Sequence, residues 1–195
     1  MGKLTGKQTQ RIVVAITGAT GVIYGIRLLQ VLRDCGAESH LILSKTSKEI
    51  TAAETSYVVE TVENLADKVY HQDNLAASLS SGSFRTDGMV VVPCTIKTLS
   101  GIARSYNDNL IVRAADVTLK ERRRLVLVVR ETPLHLGHLR LMVAVTEAGA
   151  IVLPPVPAFY HGPQTIQDVI DHTVGRILDL FQVEHTLYRR WEGRE

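Results

Sequence analysis

Ile12-Val13-Val14-Ala15-Ile16-Thr17-Gly18-Ala19-Thr20-Gly21-Val22-Ile23-Tyr24-Gly25 runs an apolar, β-branched segment straight into a glycine turn and out again as a helix. Residues 12–17 have the continuous hydrophobicity of a strand buried on both faces, as a parallel sheet requires. Gly18 and Gly21 let the backbone approach an anion closely, and the free N–H groups and positive dipole end of the following helix stabilise its charge. The same glycines also serve tight packing of strand on helix, so the turn by itself leaves both roles open.

Beyond the turn, Ile26, Leu29 and Leu32 follow helical spacing until Gly36 stops the helix. A second strand is expected at 39–43. Ser44-Lys45-Thr46-Ser47 then caps a helix carrying Ile50, Ala53 and Glu54, because a hydroxyl oxygen satisfies the orphan amide donors of a first turn. Residues 56–85 read as polar and irregular, with loop chemistry at Ser80-Ser81-Gly82-Ser83. A strand at 89–92 should end at Pro93, with a helix opening at Cys94-Thr95-Ile96-Lys97-Thr98. The remaining elements are a basic helix over 110–123, a strand over 125–130, a helix over 134–147 stopped by Gly149, a strand over 151–153, and a last helix that Thr165-Ile166-Gln167-Asp168 opens as a capping box. Strands alternating with helices predict a three-layer α/β/α domain on a mostly parallel sheet, Rossmann-like or flavodoxin-like, joined by right-handed crossovers.

The 195 residues, 45% of them hydrophobic, suffice for one domain around a single core. No apolar run approaches the ~20 residues that span a bilayer. The lysine-bearing start has no apolar h-region, and Gly6 stands where a myristoylation signal needs Ser or Thr, so residues 1–10 are expected to be a flexible tail, with a second tail over 186–195. Cys35 and Cys94 are too far apart in sequence for a CxxC metal or redox pair, which suits the cytoplasm. A net charge of +2 offers no general polyanion surface and argues against nucleic acid, so phosphate must be bound locally. The seven histidines show no metal-binding pattern and are expected at the surface.

In this architecture ligands bind beyond the carboxyl ends of the strands, which gathers residues 17–20, Ser44, residues 93–98, Arg130, Glu131 and residues 154–160 on one rim. The second strand ends Leu43-Ser44-Lys45, without the carboxylate that holds an adenosine ribose, and the turn is Gly-x-x-Gly-x-x-x-Gly, so a mononucleotide is favoured over a dinucleotide. Thr95 and Thr98 offer hydroxyls to a phosphate or a ring, or act as ordinary caps.

The strings Thr17-Gly18-Ala19-Thr20-Gly21, Ser81-Gly82-Ser83, Pro93-Cys94-Thr95, Arg113-Ala114-Ala115-Asp116-Val117 with Lys120-Glu121, Arg130-Glu131-Thr132-Pro133 and Pro157-Ala158-Phe159-Tyr160 resemble, in order and over nearly the whole chain, the UbiX-like flavin prenyltransferases. The resemblance implies that Gly18, Ala19, Thr20, Ser44, Thr95, Ile96, Lys97, Thr98 and Arg130 contact FMN. It also implies that Tyr160 and Arg176 hold the phosphate of dimethylallyl monophosphate beside it. In that family the dimethylallyl group is joined to N5 and then C6 of reduced FMN, and the product serves a UbiD-type decarboxylase. Members assemble as dodecamers, and a tail at Tyr188 to Trp191 is expected to move over the site.

Breaking an allylic C–O bond leaves a cation and a phosphate dianion. With no Asp-rich motif to bring a metal, Lys120, Arg130, Arg176 and Tyr160 are the candidates for neutralising phosphate. Glu131 is a candidate proton carrier, and Glu54 another through Ser81 or a water; Thr20 stands where relatives commonly carry Ser, as does Thr95. Each has a duller alternative: Lys120 on a solvated basic face, Glu131 as a surface partner of Arg130, Glu54 on helix surface, the Arg176 stem covering core, Tyr160 as a packed aromatic. Rival functions are an FMN-dependent peptidyl-cysteine decarboxylase, whose early His and Pro-x-Met-Asn motif are missing here, and a non-catalytic flavin-binding subunit of an aromatic-acid decarboxylase.

Overall fold

A computed structural model describes residues 9–191 and 193. Its sheet has six parallel strands, β1 (Arg11–Ile16), β2 (Glu38–Leu43), β3 (Lys68–His71), β4 (Gly88–Cys94), β5 (Arg124–Val129) and β6 (Ile151–Val152), in the order β3-β2-β1-β4-β5-β6. The described helices are α1 (Val22–Asp34), α2 (Lys45–Glu54), α3 (Val59–Glu63), α4 (Ile96–Ala103), α5 (Leu110–Lys120), α6 (Leu136–Glu147) and α7 (Ile166–Phe181). The expected three-layer α/β/α architecture is therefore found, with a sheet that is parallel throughout and in Rossmann order. The chain leaves β1 towards β2 and β3, then returns to place β4 on the other flank of β1, so the crevice falls between the carboxyl ends of β1 and β4.

Alternation along the strands divides the core in two. Ile12, Val14 and Ile16 of β1 pack with Leu41, Val90, Val92, Val126 and Val128 under α1 and α7. Val13 and Ala15 pack with Met89, Val91, Leu125 and Leu127 under α4 and α5. Both faces of the central strands are covered, which is why these strands read as unbroken apolar runs.

Three elements depart from expectation. β3 lies inside the stretch read as irregular: it is an edge strand of four residues in which Tyr70 alone is buried, so no hydrophobic pattern announces it. β4 continues through Pro93 to Cys94. The ladder is irregular between Val91 and Cys94, but the Pro93 carbonyl accepts from Thr17 and the Cys94 carbonyl from the Arg130 N–H, so pairing resumes without the missing donor. The basic helix stops at Lys120 because Arg122 takes φ 56°, the left-handed region, and caps it. At the amino terminus, Gln10 is no loose tail residue: its carbonyl accepts from the Glu38 N–H and its side chain donates to the Phe181 carbonyl.

Candidate active site at the carboxyl rim

Thr17 fastens the two strands that flank the crevice. It is 1% exposed; its hydroxyl donates to the Pro93 carbonyl (2.7 Å) and accepts from the Thr95 N–H (2.9 Å). Gly18 follows where a Cβ would come within 2.5 Å of the Thr46 side chain, and Gly21 takes φ 94°, so the turn needs glycine at both places. Glu54 reaches across from the end of α2 to accept the Gly21 N–H at 2.8 Å, placing a carboxylate beside Thr20 and the amino end of α1.

α2 and α4 aim their amino ends at the same space. Ser44 caps α2, its oxygen accepting from the Ser47 N–H at 3.0 Å; Thr95 caps α4, accepting from the Thr98 N–H at 3.1 Å and donating to the Thr98 hydroxyl at 3.0 Å. The hydroxyl protons of Ser44 and Thr98 are thus left for a ligand. Among the described residues the N–H groups of Gly18, Thr20, Thr46, Ile96 and Lys97 have no protein partner either. These donors open onto two adjoining clefts. The larger, about 920 Å³, lies between Gly18, Ser44, Thr46, Thr95, Thr98 and Asn109. The smaller, about 390 Å³, is formed by Gly18, Ala19, Thr20, Thr95, Ile96, Lys97, Arg130 and Glu131. Lys45, Lys97, Arg104 and Arg130 outnumber Asp108 and Glu131 around them, and no carboxylate pairs with the Arg130 guanidinium among the described residues. A donor-rich, acceptor-poor rim of this kind suits a phosphate ester. Burial pushes the Cys94 thiol up to about 12, so it is no nucleophile.

All the residues expected to contact flavin therefore line one continuous crevice, joined by Glu131, whose own carboxylate accepts the Thr132 N–H at 3.0 Å, and flanked by Glu54. The others lie elsewhere in the chain. Lys120 ends α5 just before β5 begins, at the amino edge of the sheet, where it pairs with Glu121 against the Gly82 loop that also carries Ser81. Ser81 bonds Ser83 at 2.9 Å and has no route to Glu54 within the same chain. Arg176 is on α7, and Tyr160, in the loop before that helix, meets His172 midway along it; the last turn of α7 packs against Gly88 and Arg124 at that same amino edge. Arg176 is only about 7 Å along the helix axis from that end, against a strand length of about 20 Å. There Arg176 pairs with Asp179 at 3.2 Å, and Asp179 also accepts from Tyr188, Arg190 (2.6 Å) and His185 (3.1 Å). The tail expected to move is thus docked on α7 through one carboxylate. Three histidines expected at the surface are buried instead: His40, His172 and the side chain of His185.

Sequence reasoning missed Gln72, Arg104, Tyr106 and Asn109, which line the larger cleft. Gln72 follows the unread strand β3 and accepts from the Lys45 N–H at 3.2 Å. Asn109 precedes an apolar run and caps α5, a pattern that a search for caps would have found.

Fold and crevice together define an α/β protein that presents backbone amides and the Arg130 guanidinium to a mononucleotide. The Flavoprotein family profile matches residues 3–178. Flavin prenyltransferase UbiX of Salmonella typhimurium is 56% identical over 187 residues, 94% of this chain and 99% of its own length. A crystal structure of AnUbiX (PadA1) in complex with FMN and dimethylallyl pyrophosphate superposes with a TM-score of 0.94 at 53% identity, covering 96% of this chain and all of the other. That of a dodecameric FMN-dependent UbiX-like decarboxylase from Escherichia coli O157:H7 gives 0.92 at 49% identity, covering 94% and 100%. The chain belongs to the Flavoprotein family and, within it, to the UbiX flavin prenyltransferases. Among the described residues no helix is long and apolar enough to cross a membrane, and no group of three or more His, Cys, Asp or Glu side chains is placed to hold a metal ion.

Proposed function

We propose that this chain transfers a dimethylallyl group from dimethylallyl monophosphate to N5 and C6 of reduced FMN, releasing phosphate, and that the product serves a UbiD-type decarboxylase in the cytoplasm. The observation that carries the reading is the set of unpaired donors around Gly18, Thr46, Thr95 to Thr98 and Arg130, a donor set fit for the phosphate and ring edge of a flavin mononucleotide. FMN supplies the nucleophilic nitrogen and carbon and a ring face against which an allylic cation is stabilised. Arg130 binds the flavin from the end of β5. Glu131, next in sequence, would relay the protons displaced from N5 and C6, one to the departing phosphate and the other to the alkene carbon of the prenyl group that ring closure saturates. Glu54 orients the turn at Gly21 and Thr20. No metal is assigned a role.

Tyr160, Arg176, Lys120 and Ser81 line neither cleft of their own chain. They join the reaction when neighbouring copies present them to the rim, and the dodecameric E. coli relative supports such an assembly. Tyr160, Arg176 and Lys120 then hold the leaving phosphate. Anaerobic incubation of the purified protein with reduced FMN and dimethylallyl monophosphate tests the reading: the released flavin gains a C5 unit, whereas an unchanged flavin with the ester intact rejects it. Arg130→Ala should lose FMN. Glu131→Gln should keep FMN and slow turnover by about a hundredfold or more, the usual contribution of a positioned acid or base.

A further inference from the structure

The Tyr160 hydroxyl lies 3.0 Å from Nε2 of His172, one turn before Arg176 on α7. His172 is 7% exposed, and its ring stacks on His161 at 4.7 Å between centroids with the planes 7° apart. Both ring nitrogens of His161 are themselves shut off from water without a partner, so His161 shields His172 and does not hydrate it. Tyr188 covers another side of His172 at 4.7 Å, and Trp191 meets the Tyr160 ring edge-on at 5.9 Å. A half-exposed phenol is thus tied to a buried imidazole inside an aromatic collar.

A phenol has one proton to give. If Nε2 of His172 is bare, that proton points at the imidazole, and Tyr160 turns only lone pairs outward, which repel a phosphate oxygen. If Nε2 carries the hydrogen, His172 donates to the phenol oxygen, and the Tyr160 proton is released towards the anion and made a stronger donor by the bond behind it. Burial, together with the charges of His161 and Arg176, holds the His172 pKa below its ordinary value against the opposing pull of Asp179, so the ring is neutral near pH 7 and has one proton to place. Moving it from Nδ1 to Nε2 changes the tautomer with no net uptake.

We infer that His172 is a positioning residue for the prenyl-donor phosphate, its Nε2–H tautomer turning the Tyr160 hydroxyl proton towards the anion. The inference rests on the reading of Tyr160 as a phosphate ligand and assigns to its buried neighbour the choice between donor and acceptor. It goes beyond electrostatic attraction: Arg176 would hold any anion, whereas the Tyr160–His172 pair recognises one only in the right tautomer.

The test uses the assembled enzyme with FMN and compares KM for dimethylallyl monophosphate, kcat and FMN affinity in wild type, Tyr160→Phe, His172→Leu, His172→Gln and the double variant Tyr160→Phe/His172→Leu. His172→Leu should raise KM about tenfold, the effect of one net hydrogen bond, with FMN affinity unchanged. His172→Gln, whose amide can donate to the phenol, should bring KM back to near wild type. The double variant should be no worse than Tyr160→Phe. A raised KM in Tyr160→Phe with a wild-type KM in His172→Leu overturns the inference and leaves the phosphate reading standing. Failure of Gln to rescue, or additive losses in the double variant, also overturns it. An unchanged KM in Tyr160→Phe removes the phosphate reading and the inference together.

Discussion

Thr17 ties together the two segments that flank the crevice. Its buried hydroxyl, just past β1, both donates to the Pro93 carbonyl and accepts from the Thr95 N–H, so it positions the amino end of α4. Thr17→Val keeps the shape and strands the buried Thr95 N–H. It should lower folding stability by about 1–3 kcal/mol, and FMN affinity with it, measured by denaturant unfolding and flavin titration. His40 shows the same economy at the amino edge. It is 2% exposed, with Nε2 on the Glu38 carboxylate (2.8 Å) and Nδ1 on the Tyr70 hydroxyl (2.9 Å), which in turn meets Ser78 at 3.0 Å. The neutral Nε2–H tautomer satisfies each of these bonds. Burial lowers the His40 pKa despite the raising effect of Glu38, so the unfolded chain binds this proton more readily than the fold does. Stability from His40 is therefore full above its unfolded value near 6.5 and is lost as pH falls below it; His172 acts in the same direction. Thermal melts should show a falling Tm between about pH 7.5 and 5.5, with a shallower fall in His40→Gln.

Helix ends show where reading the sequence succeeds and where it stops. α1 and α6 end on Gly36 (φ 70°) and Gly149 (φ 105°), and the glycines mark both stops in advance. α4, α5 and α7 end in the same backbone hydrogen-bond pattern with Ser105, Arg122 and Gln182 at positive φ, so nothing in their side chains announces the turn, and the sequence pattern runs on to residue 123 where the α5 backbone stops at Lys120. Gln182→Gly should relieve the left-handed strain and stabilise the fold by about 0.5–1 kcal/mol, because the steric cost removed exceeds the backbone entropy glycine adds. A lower Tm in that variant would mean that the Gln182 side chain has a role of its own. β3 was illegible for another reason: pairing with β2 makes it a strand, and only the folded sheet supplies that partner. The crevice at the carboxyl rim was legible because its lining residues follow strand ends and helix caps, which leave local signatures at Thr17, Ser44 and Thr95. Lys120 and Arg176 leave none, since their places are set by how α5 and α7 return to the amino edge.

At the scale of the whole molecule this separation becomes a testable statement about assembly. One chain holds the unpaired donors at the carboxyl rim, Lys120 and Arg176 towards the other edge and Tyr160 against His172 midway along α7, so a working site on the proposed reading takes its flavin-binding half and its phosphate-binding half from different copies. The apolar faces for such contacts are present: Leu136, Leu139 and Val143 of α6, with Val156 and Phe159 beyond β6, are all exposed in the single chain. Arg130→Ala and Arg176→Ala should each abolish prenyl transfer alone, the first by losing flavin and the second by losing the phosphate anchor. Co-expression of the two variants at equal levels lets each site draw its two arginines from different chains. Random assembly leaves both intact in about a quarter of the sites, so activity should return to about that fraction of wild type. Sites built within one chain would carry one or other lesion in every case, and the mixture would stay inactive. Recovery that vanishes when the variants are purified separately and mixed below the exchange temperature would further tie the activity to shared sites.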